Sequence, residues 1–391
     1  MEMKPGYKQT EVGVIPEEWE VKLLPEVCRF RGGKAHEQYI SGHGQYVCVN
    51  SKFISTEGNV RKYSTANFCC ANLNDVLMVM SDLPNGRALA KTYLVERSDF
   101  YAVNQRVCAL TAYRDSPKFL FYILNRNPYF LKFDNGVSQT HLLNNVFRAC
   151  PIPLPPTDAE QEAIAKALND ADALIASLDQ LIAKNRHIKQ GAMQNLLTGK
   201  TRLPGFSGKW ETETLRALAD CFDNLRVPLN ESQRKKMRGD YPYCGANGVL
   251  DFVNGYVIDD DIILVAEDGG YFDEYTYRPI AYRMRGKCWV NNHAHILKAK
   301  AGCDQGFLYY SLVHKNLLPF LASGTRAKLN KSEMWKVTVN LPGTQAEQVA
   351  IATLLSSMDT EIAALETKMA KVRQIKQGMM QELLTGRIRL I

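Results

Sequence analysis

Four groups of residues have types that could do chemistry, and their spacing and setting argue against each. The ten cysteines are Cys28, Cys48, Cys69, Cys70, Cys108, Cys150, Cys221, Cys244, Cys288 and Cys303. None forms a Cys-x-x-Cys pair or a set spaced like zinc ligands. Several lie in apolar runs such as Val107-Cys108-Ala109-Leu110, so they read as reduced, mostly buried thiols. His293 and His295 lie near a strand, with no acidic or Cys residue at ligand spacing, which predicts hydrogen-bonded histidines and no metal. Asp259-Asp260-Asp261 has cation-binding atoms but reads as a solvated turn leading into a strand from Ile262 to Ala266. Asn127-Pro128-Tyr129 lacks the second proline expected in the tetrapeptide of an adenine methyltransferase, and no Gly-rich cofactor loop accompanies it. A metal-nuclease Asp followed by Glu-x-Lys, a Walker loop and a Gly-x-Ser-x-Gly elbow are all missing. No catalytic residue, metal ligand or bound cofactor is expected.

The elements that would position any site are set by an internal repeat. Residues 154–203 align without a gap to residues 341–390 at a constant offset of 187. Roughly three positions in five are identical over that stretch. Each copy leaves an extended, Pro-containing run (Pro151, Pro153, Pro155 and Pro156; Pro342) and opens Thr157-Asp158-Ala159-Glu160 or Thr344-Gln345-Ala346-Glu347. Both openings match a capping box, Thr accepting from the third helical N–H and Glu reaching back to the Thr N–H. A long helix is predicted after each, over Thr157 to Leu197 in the first copy, about 60 Å at 1.5 Å per residue. Ile164, Leu168, Ala171, Ile175, Leu178 and Ile182, with twins Ile351, Leu355, Met358, Ile362, Leu365 and Met369, step alternately by four and three. That is a heptad seam, and two matching seams most simply pack on each other. Gly199 and Gly386 are natural stops. The pairs Lys189/Lys376 and Gln190/Gln377 are not needed by a seam, and they predict a solvent-facing surface used the same way twice.

The regions before each helix echo one another more weakly. Trp19-Glu20 recurs as Trp210-Glu211, Val103-Asn104 as Val290-Asn291, and Phe119-Leu120-Phe121-Tyr122 as Phe307-Leu308-Tyr309-Tyr310. Val76 to Met80, Thr92 to Val95 and Val107 to Leu110 read as strands, and Pro117 to Asn125 as a short helix. The chain is therefore globule, long helix, globule, long helix. Its 391 residues hold 46% hydrophobic residues, enough for packed cores, and a net charge of +7 that permits a polyanion partner without requiring one. The start is polar, with no apolar signal segment, and no stretch is long enough to span a membrane, so a cytoplasmic location is expected.

This arrangement resembles the specificity subunit of Type I restriction–modification systems. The resemblance covers essentially the whole chain. It rests on the opening Tyr7-Lys8-Gln9-Thr10-Glu11-Val12-Gly13-Val14-Ile15-Pro16-Glu17-Glu18-Trp19-Glu20, on the paired helix starts (Leu154, Pro155, Glu160, Gln161; Leu341, Pro342, Glu347, Gln348) and on the paired Leu-Leu-Thr-Gly ends. It implies an α+β fold: two globular α/β target-recognition domains separated by two long helices packed as an antiparallel coiled coil, with internal pseudo-twofold symmetry. It implies a segment 1–21, a first recognition domain 22–155, a central helix 156–200, a second recognition domain 201–342 and a second helix 343–391. Each domain would read one half of a split, asymmetric double-stranded DNA site. The helices would set the spacing and dock two methyltransferase subunits, with motor-nuclease subunits completing the restriction complex. The subunit itself would be non-catalytic, with S-adenosylmethionine, ATP and Mg2+ only on its partners. The readings from other classes are a methyltransferase or nuclease with an unrecognised site, and a coiled-coil adaptor with no DNA role.

Base readout needs Arg, Lys, Asn or Gln at groove positions, and phosphate contacts need basic or hydroxyl groups. In the first globule the candidates are Arg29, Arg31 and Lys34 in a basic loop with two glycines, Asn85 and Arg87 in a turn, and Ser138, Gln139, Thr140 and His141 after Asn135-Gly136. In the second they are Arg226, the cluster Arg234, Lys235, Lys236 and Arg238, and Thr325, Arg326 and Lys328, which occupy the place of the Asn135-Gly136 loop.

Overall fold

The computed structural model describes residues 5–83, 87–134, 136–322 and 327–390. It forms two compact units, Met1–Leu178 with Lys368–Ile391, and Asp179–Thr367. This division cuts both long helices, so each unit holds one globule and parts of two helices. The helices run Asp158–Leu196 and Gln345–Leu383, within a residue of the predicted start and end in the first copy.

In the first unit, apolar Val76–Val79 is buried along its whole length, as expected of a strand covered on both faces. It lies inside a four-stranded antiparallel sheet ordered Cys28–Gly32, Val107–Ala112, Val76–Val79, Thr92–Leu94. The short helix Pro117–Leu124 begins where Ser116 accepts from the Phe119 N–H at 3.2 Å, with Pro at its first turn. It buries Phe119 and Leu120 in a core shared with Trp19, Ile164, Leu168, Leu383 and Leu384. A further sheet places Tyr101–Val103 parallel to Tyr46–Val49.

The second unit repeats the order. Ala219–Cys221, Ala294–Ala299, Ile258–Ala266 and Ala281–Val290 correspond to the four strands above, and Arg238–Gly245 and Gly248–Val253 extend the sheet to six. Tyr243 and Cys244 pair in parallel with Trp289 and Val290, as Val47 and Cys48 pair with Tyr101 and Ala102. Asn104 and Asn291 thus follow equivalent strands, and their N–H groups bond to Val49 and Cys244 carbonyls. Asp259, Asp260 and Asp261 are not a turn before a strand; they belong to Ile258–Ala266, and Asp261 is paired with Arg283. Asp259 and Asp260 are exposed and Asp261 half-buried, while every later position of the strand is buried, so apolarity alone marked only its second half.

Both units pack their helix segments antiparallel. In the first, Lys376 meets Asp172 at 2.5 Å and Arg389 forks onto Glu160, its Nη2 at 2.8 Å from Oε2. In the second, Lys189 meets Asp359 at 2.5 Å and Arg202 forks onto Glu347 with both bonds at 2.5 Å. The pairing is reciprocal: each helix supplies the acids to one unit, and the same helix with the residues just past its end supplies the bases to the other. Tyr122 donates to Asp172 at 2.9 Å and Tyr310 to Asp359 at 2.7 Å, each with the lysine 5.5 Å above its ring. Burial, then the neighbouring carboxylate, pushes both phenols well above the usual tyrosine range.

Two expectations change here. Lys189 and Lys376 are not a solvent-facing surface, because their side chains are only 18% and 19% exposed and locked to the facing helix. Glu160 and Glu347 do not close capping boxes, because their carboxylates are taken by arginine, a stronger charge-assisted partner than a backbone N–H. The Thr157 half of the box is present, accepting from the Glu160 N–H at 3.2 Å. Along the seam, Ile164, Leu168, Leu178, Ile182, Ile351, Leu355 and Ile362 are buried, while Ile175, Leu365 and Met369 are half-buried. Gly199 and Gly386 take φ of +70° and +68°, and a side chain on Gly386 would strike Pro16 at 2.5 Å, so both stops need glycine.

Candidate nucleic-acid interface

In the first unit, the two-residue strands Ser81–Asp82 and Thr140–His141 pair and gather two of the candidate loops. Gln139 donates to the Ser81 hydroxyl at 2.8 Å, and Asp82 accepts from the Ala88 N–H at 2.7 Å, which fixes the chain beside Arg87. Arg87, Ser138, Gln139 and His141 are exposed there. Thr140 is buried, its hydroxyl given to Asp134 at 3.2 Å. Asn85 lies outside the described residues.

Arg29 and Arg31 are not in a loop; Cys28–Gly32 is an edge strand, with Val107–Ala112 between it and Val76–Val79, and Lys34 lies just past its end, bridged to Asn104. Arg31 pairs with wholly buried Asp75 and with the Cys70 carbonyl at 2.9 Å, so it serves as an internal counter-ion. The close approach allowed by Gly33 is to the Asn104 carbonyl of its own unit, 2.1 Å from where a Cβ would sit. Arg29 and Lys34 are exposed.

In the second unit, distant candidates converge on a charged network. Arg226 pairs with Glu267 and lies 3.4 Å from Asp223, and Lys328 reaches Glu267 at 3.0 Å. His295 is 1% exposed, with Nδ1 2.7 Å from Asp223 and Nε2 2.8 Å from the Leu329 carbonyl. A carboxylate and a carbonyl both accept, so both ring nitrogens donate and the ring is an imidazolium. Burial works against that charge, but the Asp223 and Leu329 bonds outweigh it and hold the pKa up at about 9. Burial likewise disfavours ionised Asp223, and His295 overcomes it, bringing the carboxyl down to about 2.

Cys221, Asp223 and His295 also place three ligand-type atoms within 4.8 Å of one another. Distance in the sequence hid this cluster, since Cys221 and Asp223 come from another strand and the turn after it. Doubly donating His295 has no lone pair to offer a cation. The network anchors the segment around Lys328, where Leu329 donates to the Glu267 carbonyl at 2.7 Å and Ala322 to the Lys328 carbonyl at 2.8 Å. Thr325 and Arg326 lie outside the described residues.

Beside this network opens a cleft of about 470 Å³ lined by Asn230, Gln233, Arg234, Asn291, Asn292 and His293 among others. Arg234 is held by Asp251 at 3.1 Å and by the Leu229 carbonyl at 2.8 Å. Lys235 pairs along its own helix with Glu231, and Lys236 and Arg238 are exposed. Sequence reasoning missed Asn230 and Gln233. Their signal is a capping box, with Asn230 and Gln233 each accepting from the other's N–H at 2.9 Å.

Basic and amide side chains on loops of two repeated domains, with helices joined by reciprocal ion pairs, define a class of two-part recognition proteins. The Type I restriction modification DNA specificity domain matches residues 16–184 and again 207–374. The chain belongs to that family, as a non-catalytic specificity subunit carrying the domain twice. A type I restriction enzyme specificity subunit, MjaVIII, of Methanocaldococcus jannaschii is 24% identical over 96% of this chain and 94% of its own. A specificity-subunit relative in Haemophilus influenzae is 35% identical over 162 residues, 41% of this chain and 40% of that protein. The crystal structure of a Type-I restriction-modification S subunit from M. genitalium shares the fold, with TM-score 0.67 and 16% identity over 97% of this chain and 99% of that one. Among the described residues, no helix is long and apolar enough to cross a membrane.

Proposed function

We propose that this chain selects the DNA on which a Type I restriction–modification complex acts. Each recognition domain reads one half of a bipartite, asymmetric double-stranded site. The long helices set the spacing between the halves and dock two methyltransferase subunits, and motor-nuclease subunits join them in the full complex. S-adenosylmethionine, ATP and Mg2+ act on those partners, in the cytoplasm. The observation that carries this reading is the contrast between the two halves of each repeat. The helix segments repeat with the same ion pairs, whereas the exposed polar loops differ, as two DNA words and one kind of partner require.

In the first domain the reading surface is the patch of Arg87, Ser138, Gln139 and His141, with Asn85 as a further candidate reader and Arg29 and Lys34 as outlying phosphate contacts. In the second it is Arg234, Lys236, Arg238 and Lys328, which shares Glu267 with Arg226, with Thr325 and Arg326 as further candidate readers. The test is to exchange residues 22–155 for the corresponding domain of a relative with a different target and sequence the host methylome. One half of the methylated site should change and the other persist. An unchanged site would refute the reading.

A further inference from the structure

The amide-lined cleft of the second domain is built unlike its counterpart in the first. Asn104 and Asn291 each follow a strand that pairs in parallel with its neighbour, at equivalent positions of the two domains. In the first domain the Asn104 amide donates to Glu37 Oε1 at 3.0 Å, and Gln105 donates to the same oxygen at 3.2 Å. An internal carboxylate satisfies the donor there. In the second domain Asn291 is 3% exposed and lines the cleft, and its NH2 has no hydrogen-bond partner among the described residues. That NH2 is therefore left free, at the cleft, to donate to a ligand.

The other amides face the same way chemically. The Asn230 oxygen is used by the Gln233 N–H, the Gln233 oxygen by the Asn230 N–H, and the Asn291 oxygen by the His293 N–H at 2.8 Å. Those bonds fix which amide atom is oxygen and leave the NH2 groups as the free ends. Arg234 adds guanidinium donors. The cleft therefore offers mainly donors and asks for acceptors. Its walls, Pro228, Leu229, Tyr243 and Leu250, are largely apolar, which suits the edge of a base better than a hydrated phosphate.

We propose that this cleft reads a guanine in the half-site assigned to the second domain, through the paired acceptors O6 and N7, with Asn291 and Gln233 as the specificity-determining residues. Adenine presents one acceptor and one donor on that edge, and cytosine a donor, so both leave an amide N–H facing another N–H. This rests on the function proposed above.

The experiment first finds the methylated site of the chain with its methyltransferase partners, and assigns the second-domain half as the one that survives exchange of the first domain. Duplexes carrying 7-deazaguanine at one guanine at a time then compete for the complex. The unaltered chain should lose affinity on the order of tenfold at one such position. Gln233→Ala and Asn291→Asp should lose that dependence, with their methylomes relaxing at that base pair alone. Gln233 is exposed, so its variant reports even where Asn291→Asp fails to fold. A half-site without guanine, or variants with an unchanged methylome, would overturn the proposal. So would uniform weakening on all sequences that methylphosphonate linkages abolish, which would mark a phosphate contact. Methylation of every sequence by the unaltered complex would instead sink the function itself.

Discussion

Arg31 and Arg87 carry the same charge in the same domain and are assigned opposite duties by their surroundings. Arg31 neutralises a carboxylate with no solvent access, so Arg31→Ala should cost about 3 kcal/mol in urea unfolding by stranding Asp75. Arg87→Ala should leave the unfolding midpoint unchanged and flatten the salt dependence of DNA affinity if its contact is to phosphate. Equal loss of stability in both variants would refute the distinction. The His295–Asp223 pair makes a pH prediction. His295 titrates at about 9 when folded and near 6.5 when unfolded, so its contribution is full below pH 6.5 and is lost as pH rises toward 9. Asp223 titrates at about 2 when folded, so its contribution is present above pH 3.8 and is lost as pH falls toward 2. Urea midpoints against pH should fall on both sides, and His295→Gln should remove the alkaline fall. Neither partnership was legible in the sequence, because Asp75 and Asp223 reach their partners only through strand pairing.

At the scale of elements, the seam was legible because apolar spacing and caps are local. Leu178→Asp would bury an unpaired carboxylate and should cost several kcal/mol, with methyltransferase assembly falling alongside. Leu365 is only half-buried, so Leu365→Asp should cost less. Size-exclusion chromatography with the methyltransferase checks both; normal assembly of the Leu178 variant would refute its place in the seam. What the pattern hid was the polar part of the helix contacts. Lys189 and Lys376 looked like surface because lysine usually is, and only a facing Asp and Tyr make their burial favourable. The strand-borne Arg29 and Arg31 were misread as a loop for a related reason: two glycines signal a turn unless a neighbouring backbone needs the space.

At the scale of the whole molecule, the duplication was visible by alignment, whereas the composition of each compact unit was not. The second unit is one continuous stretch, Asp179–Thr367, and the first is interrupted. Leu383 and Leu384 belong to the core around Trp19, Ile164 and Leu168, and Arg389 closes on Glu160. During synthesis the first globule therefore emerges without the residues that cover its flank. It waits, with Ile164 and Leu168 short of their partners, until the whole of the second unit has been made. Removing residues 380–391 should leave the second unit as resistant to limited proteolysis as before and expose the first. The order in which the two readers mature would then run opposite to the order in which they are translated.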